Sequence, residues 1–138
     1  MSRRDKTHDI VKNALIAEGW TITDDPYPVN IGGKSNEIDL AANRIIAATN
    51  GKEKIAVEIK SFLGTSTLTD FYHALGQFML YLRALKSKEP DRVLFLAMPT
   101  TTYEELKRDV FIYPDYEDLN HKIIIYETDK ISKLIWID

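Results

Sequence analysis

Two apolar runs, residues 55–59 and Val93–Met98, flank a segment with the periodicity of a long helix. That order constrains the chain more than any other feature in it. Phe71, Ala74, Leu75, Phe78, Leu82 and Leu85 recur at steps of mostly three or four residues. They draw one apolar stripe along a helix that reaches Lys88. Thr69 or Asp70 is positioned to cap its start, and Pro90 ends it. Val93–Met98 is apolar without alternation, as expected of a buried strand. A strand, a helix and a second strand in this order require a helix laid over a sheet.

The remaining segments extend that sheet. Residues 3–18 read as a first helix, with Ile10, Val11, Ala14 and Leu15 at helical spacing and Gly19 as its stop. Residues 20–23 alternate like a short strand, the run 24–28 breaks regular structure, and 31–36 form a glycine-containing polar turn. Residues 37–48 give one strand or a strand pair, with a local break at 41–44. Asn50-Gly51 is a hairpin signal that sets residues 45–49 antiparallel to 54–60. A short helix at 103–108 and strands at 122–126 and 134–137 complete an α/β fold with a mixed sheet, expected as one domain over residues 1–138.

Charges stand inside two of these apolar strands. Ile38-Asp39-Leu40 is followed, nineteen residues after the aspartate, by Val57-Glu58-Ile59-Lys60. Alternation puts Ala56, Glu58 and Lys60 on one face of their strand, with successive members roughly 7 Å apart, and Val57 and Ile59 on the other. Burying a carboxylate and an ammonium in such a strand is costly unless they are paired or bound to a metal. With Asp39 on a neighbouring strand, the set suits phosphodiester hydrolysis. Two carboxylates hold a hard divalent cation, Mg²⁺ or Mn²⁺, and the lysine orients water or stabilises charge on phosphate oxygens. The bland alternative is decoration of a half-exposed sheet, but the apolar flanks favour a site.

Composition narrows the alternatives. The chain has no cysteine, which excludes disulfides, thiolate zinc sites and cysteine nucleophiles. No apolar run reaches the roughly 20 residues of a membrane span, and the charged start lacks a signal-peptide core, so a cytoplasmic protein is expected. Net charge is −3, which argues against tight non-specific DNA binding by the whole surface. Arg3, Arg4, Lys6 and Lys12 make the first helix basic, whereas Asp115, Glu117, Asp118, Glu127 and Asp129 make the last third acidic.

Gln77 and His73, one turn apart on the long helix, either reach the site or belong to a solvated face. Gly76 beside them allows close approach at a cost of about 1 kcal/mol relative to alanine. His8 edges the packed face of the first helix, where a structural role is the simpler reading; Glu18 reads as surface. Ser61 has no histidine–aspartate partners for serine catalysis. Tyr113, Tyr116 and Trp136 are interface or local packing candidates.

These residues together resemble a PD-(D/E)xK, restriction-endonuclease-like domain. The segments Arg3-Arg4-Asp5, Gly19-Trp20-Thr21-Ile22-Thr23, Ile38-Asp39-Leu40, Ile55 through Phe62 and Ala74-Leu75-Gly76-Gln77-Phe78 resemble the XisH family, small cyanobacterial proteins named as controlling factors for excision of the fdxN element. The resemblance implies a three-layer α/β/α core. It also implies Asp39 and Glu58 as metal ligands, completed by the Ile59 carbonyl, with Lys60 as the catalytic lysine and Gln77 beside them. Many relatives complete the metal site with a glutamate on the first helix; here His8 holds that position, which favours a softer metal such as manganese. The proline that often precedes the aspartate is replaced by Ile38. The implied setting is programmed DNA excision with a recombinase and a second small excision factor, and a homodimer if duplex DNA is cut. The alternative is a catalytically inactive accessory factor that keeps the nuclease fold to bind DNA, the recombinase or the second factor.

Overall fold

Side-chain alternation along the central strands sorts the interior into two cores, one on each face of a sheet. The computed structural model describes residues 3–46, 51–116, 119, 122–128 and 133–137. Helix α1 (Arg3–Ala17) leads into strands β1 (Thr21–Asp24), β2 (Tyr27–Ile31), β3 (Lys34–Ile38), β4 (Leu40–Ile46) and β5 (Gly51–Ile59). Helix α2 (Thr67–Lys88), β6 (Val93–Pro99), α3 (Thr100–Asp109), a 3₁₀ turn (Pro114–Tyr116), β7 (Ile123–Tyr126) and β8 (Ile135–Ile137) follow. Six strands form one sheet in the order β1-β4-β5-β6-β7-β8. The pairs β5–β6 and β6–β7 are parallel and the rest antiparallel, so the sheet is mixed as expected.

Ala41, Ala56, Leu94, Leu96, Met98, Ile123 and Ile125 point to the face covered by α2 and α3, where they meet Phe71, Ala74, Phe78, Leu85 and Leu106. Their sequence neighbours Leu40, Ala42, Ile55, Val57, Ala97, Ile124 and Tyr126 point the other way, to Val11 and Leu15 of α1. A period of two thus sorts the buried central-strand side chains between the two cores. Glu58 follows Ala56 onto the α2 face, and Ile59 lies with the α1 core.

The crossover is as expected, with Ile55 paired to Val93 and Ile59 to Ala97. Three local expectations need correction. Helix α2 begins at Thr67, because Ser66 is its cap and accepts from the Thr69 N–H at 3.2 Å. Asp70 instead accepts from the Gly64 N–H at 2.9 Å. The break expected at residues 41–44 falls at Asp39, between β3 and β4. The polar turn at 31–36 is a two-stranded β2–β3 ribbon. Gly32 and Gly33, at φ 59° and 78°, close it as a hairpin turn that L side chains rarely adopt. Tyr27 and Val29 of the ribbon pack into the α2 core. Asn50 of the expected hairpin turn, with Glu117, Asp118 and Asp129 of the acidic segment, lies outside the described residues, as do the side chains of Arg3 and Arg4. Tyr116 packs against Phe71 while Tyr113 is exposed. No helix among the described residues is long and apolar enough to cross a membrane.

A buried arginine ties the end of the crossover to the sheet. Arg92, 7% exposed, donates to the Ile55 carbonyl and Asn43 Oδ1, each at 3.0 Å, and to Glu89 Oε1 at 2.8 Å. Glu89 also accepts from the Tyr27 hydroxyl, so the ribbon, the end of α2 and the β4–β5 pair share one charge cluster. The Arg92 guanidinium holds the Glu89 carboxyl down to about 2. Arg92→Ala removes the guanidinium from Glu89, from Asn43 Oδ1 and from the Ile55 and Ala42 carbonyls, and urea unfolding is expected to show a loss of about 3 kcal/mol. A loss below about 0.5 kcal/mol, the range of ordinary surface changes, would contradict this role.

Candidate functional site

The β3–β4 bend and the end of β5 bring Asp39, Glu58 and Lys60 together. Leu40 pairs with Val57 in the antiparallel β4–β5 ladder, so one step further sets Asp39 against Glu58. There the side chains take over from the ladder. Asp39 Oδ2 accepts from the Ile59 N–H at 2.7 Å, and the Asp39 N–H donates to Glu58 Oε1 at 3.3 Å. Lys60 Nζ stands 3.1 Å from Glu58 Oε2. The Lys60 backbone is fixed from two sides: its N–H donates to the Ala97 carbonyl at 2.9 Å, and its carbonyl accepts from the Tyr126 hydroxyl at 2.9 Å.

Glu58 is 4% exposed. Burial first, and then repulsion from Asp39, push its carboxyl up to about 7; Lys60 and the Asp39 N–H only partly offset this. A buried acid lifted by a second acid is the electrostatic signature of a place that accepts positive charge. The donor set is oxygen-rich, which fits a hard divalent cation at Asp39 and Glu58. The described contact of Ile59 with Asp39 is through its N–H.

The other expected residues separate from this trio to different degrees. Gln77 reaches it indirectly. Its Nε2 donates to the Tyr81 hydroxyl at 3.0 Å, and that hydroxyl donates to the Glu37 carbonyl at 3.1 Å, two residues before Asp39. Tyr81 was missed by sequence reasoning, although its i,i+4 spacing from Gln77 was a readable signal. Burial, then Glu58 and Asp39, raise its phenol to about 12, which keeps it a hydrogen-bond donor. Gln77 Oε1 is buried with no partner among the described residues. His8 is elsewhere: its Nε2 lies 2.8 Å from Asp25 Oδ1, and Lys12 Nζ lies 2.6 Å from Asp25 Oδ2. Helix α1 covers the face that Val57 presents, whereas Glu58 faces α2. Among the described residues no group of three or more His, Cys, Asp or Glu stands close enough to hold a metal, so His8 is not a third member of an Asp39–Glu58 set. Glu18 accepts from Trp136 Nε1 at 3.1 Å, so it is a tether and not free surface. Ser61 Oγ lies 3.3 Å from Thr7 Oγ1.

A 260 Å³ cleft opens beside Lys60, lined also by Phe62, Leu63, Gly64, Asp70 and His73. Phe62 has φ 54°, a left-handed conformation that is strained for an aromatic residue, and it packs toward the α2 core. His73 thus belongs to the cleft that contains Lys60.

The raised carboxyl gives stability a defined pH dependence. Folded Glu58 holds its proton more tightly than the unfolded chain does. Its contribution is therefore most favourable below the ordinary carboxylate range and is lost as pH rises through about 7. In metal-free buffer, Glu58→Gln is expected to melt about 4 °C above wild type near pH 8 and to match it near pH 4. Identical melting temperatures at the higher pH would remove the case for a repelled, buried carboxylate.

The geometry has counterparts among known proteins. A sequence model of the family described as XisH protein matches residues 1–134. An XisH family protein from Nostoc punctiforme PCC 73102 is 39% identical, with a TM-score of 0.80 over 96% of this chain and 99% of that one. An fdxN element excision controlling factor protein from Anabaena variabilis is 40% identical, with a TM-score of 0.81 over 97% of this chain and 99% of that one. No curated protein matches. With the family match running from α1 to the threshold of β8, and taking in Asp39, Glu58 and Lys60, the chain belongs to the XisH family.

Proposed function

We propose that this chain is a metal-dependent, endonuclease-like protein acting on DNA, with the restriction-endonuclease-like, three-layer α/β/α form of the PD-(D/E)xK superfamily. One observation carries the reading: a buried Glu58 carboxylate is held against Asp39 while Lys60 lies on the same strand face. Asp39 and Glu58 would hold Mg²⁺ or Mn²⁺, with the Ile59 carbonyl as a further oxygen. When bound, the cation polarises a phosphate and lowers the pKa of water. A cation held there would offset the charge on Glu58, and the Lys60 ammonium beside Glu58 Oε2 would stabilise charge developing on the phosphate oxygens. Hydrolysis forms a bond from the water oxygen to phosphorus and breaks one ester P–O bond, whose oxygen leaves with a proton. Tyr81 and Gln77 act behind this as positioning residues, because they hold the backbone that leads into Asp39. The cleft beside Lys60, with His73 on its wall, gives the neighbouring phosphate a place.

A second reading has its own support. His8 is engaged by Asp25, which leaves two carboxylates where many nucleases use three ligands. On this reading the fold is a catalytically inactive accessory factor that binds DNA, a recombinase or a second small excision factor. The Anabaena variabilis relative is named as an excision controlling factor, and both readings place this chain in programmed DNA excision within the cytoplasm. Cutting both strands of a duplex would call for a homodimer.

Cleavage of supercoiled, linear, single-stranded and branched DNA with Mg²⁺ or Mn²⁺ separates the two. Wild type is expected to cut. Lys60→Ala should lose about a hundredfold or more in rate while keeping its metal affinity, and Glu58→Ala should lose both. Equal activity in wild type and Lys60→Ala would discard the lysine assignment. Absence of cutting even with the second factor present, together with absence of metal uptake by calorimetry, would establish the accessory reading.

A further inference from the structure

Helix α2 carries a second apolar stripe beside its buried one. Leu68, Tyr72, Leu75, Met79, Leu82 and Lys86 follow one another at steps of four, three, four, three and four residues. That is the a/d spacing of a coiled-coil seam, with Lys86 as its one charged member. At 3.6 residues per turn the seam lies roughly a quarter turn around the helix from Phe71, Ala74, Phe78, Tyr81 and Leu85, which are buried. The seam itself is bare. Tyr72 is 61% exposed and Met79 58%, Leu68 is exposed, and Leu75 and Leu82 are only partly covered. A cleft of 650 Å³, lined by Leu75, Met79 and Leu82 and by Asp115 and Tyr116, opens along it. A continuous apolar strip of this kind marks a surface that another molecule covers.

A glycine and a pair of charges indicate what that molecule is. Gly76 flanks the middle of the seam. Glycine weakens a helix interior, yet a methyl group here would meet nothing within 4 Å. Packing within one copy therefore does not call for it, whereas it lets a second helix approach closely. The charges supply the direction. Asp115 stands beside the first half of the helix, because its neighbour Tyr116 meets the Phe71 ring at 6.2 Å. Lys86 lies about 22 Å further along the axis from Phe71. Neither Asp115 nor Lys86 makes an ion pair among the described residues. A second α2 laid on the first in the same direction sets like charge beside like. Reversed, it brings each Lys86 to the end of the groove where the other copy keeps Asp115.

We infer that α2 docks antiparallel on α2 of a second copy of this chain, across a two-fold axis beside Gly76, with Lys86 of each copy facing Asp115 of the other. The seam suits this reversal, since its steps read the same in both directions about Gln77. Tyr72 then packs on Leu82 of the second copy and Leu75 on its Met79, and each contact occurs twice, as an isologous interface requires. The surface shares no residue with the Asp39–Glu58–Lys60 trio. It follows from the helix and not from any requirement of cleavage, so it does not rest on the metal-dependent reading.

Sedimentation equilibrium of the full chain, without metal or DNA, tests this. Wild type is expected to dimerise with a Kd below about 100 µM. Met79→Glu, a change at an exposed position, should weaken the dimer at least about tenfold while circular dichroism and melting of the dilute protein stay as in wild type. Asp115→Lys and Lys86→Asp should each weaken it about threefold or more, and the double swap should restore the wild-type Kd. The chain has no cysteine, so a single introduced one reports orientation. On oxidation Gly76→Cys should form a linked dimer, and Leu68→Cys, far from the axis, should not. A wild type that stays monomeric up to about 500 µM would overturn the inference. So would a Met79→Glu dimer as tight as wild type, a double swap no tighter than either single change, or linkage of Leu68→Cys as ready as that of Gly76→Cys.

Discussion

Asp39 and the end of β5 hold each other through a reciprocal pair of hydrogen bonds, and the arrangement of the site follows from that pair. Where the β4–β5 ladder stops, the Asp39 carboxylate takes the Ile59 N–H and the Asp39 N–H gives itself to Glu58. The backbone donors are satisfied, as buried donors must be. In exchange, two carboxylates are fixed across adjacent strands and cannot move apart unless β5 opens. Lys60 is drawn to Glu58 because it lies two residues further along the same pleat. Repulsion and its partial relief are thus consequences of backbone bonding.

The supports around this pair come from different parts of the chain. Tyr126 on β7 fixes the Lys60 carbonyl, and Tyr81 on α2 fixes the Glu37 carbonyl. At the middle of β5, Arg92 donates to the Ile55 carbonyl and to that of its β4 partner Ala42. Each support is a buried side chain whose polar end donates to a backbone carbonyl.

Much of this was legible in residue order. The apolar runs around α2 gave the parallel crossover, and alternation in Val57-Glu58-Ile59-Lys60 put the charges on one face, because both depend on short-range periodicity. The β2–β3 ribbon was harder to read. Pro28 and the polar stretch Lys34-Ser35-Asn36-Glu37 weaken a strand pattern, although Gly32-Gly33 is a hairpin sign. The start of α2 lies earlier because Ser66 competes as a cap with Thr69 and Asp70, and the Thr69 N–H bonded to Ser66 Oγ decides between them, with Asp70 turned to Gly64. The partner of His8 was not legible. Spacing from Gly19-Trp20 fixes where it stands on α1, but its capture by Asp25 depends on how the chain returns after β1. Long-range choices of partner leave little trace in local pattern.

The division of the interior by sheet parity has a consequence for how such a chain can vary. Ala56 belongs to one core and its neighbours Ile55 and Val57 to the other, so adjacent codons report to packing environments that do not touch. Substitutions that reshape the α1 side around the two tryptophans should combine nearly additively with those on the α2 side around Glu58, since they share neither partners nor a cavity. A lineage could therefore remodel one surface of this protein while the opposite one stays under separate selection, with β5 as the strand that both must leave intact.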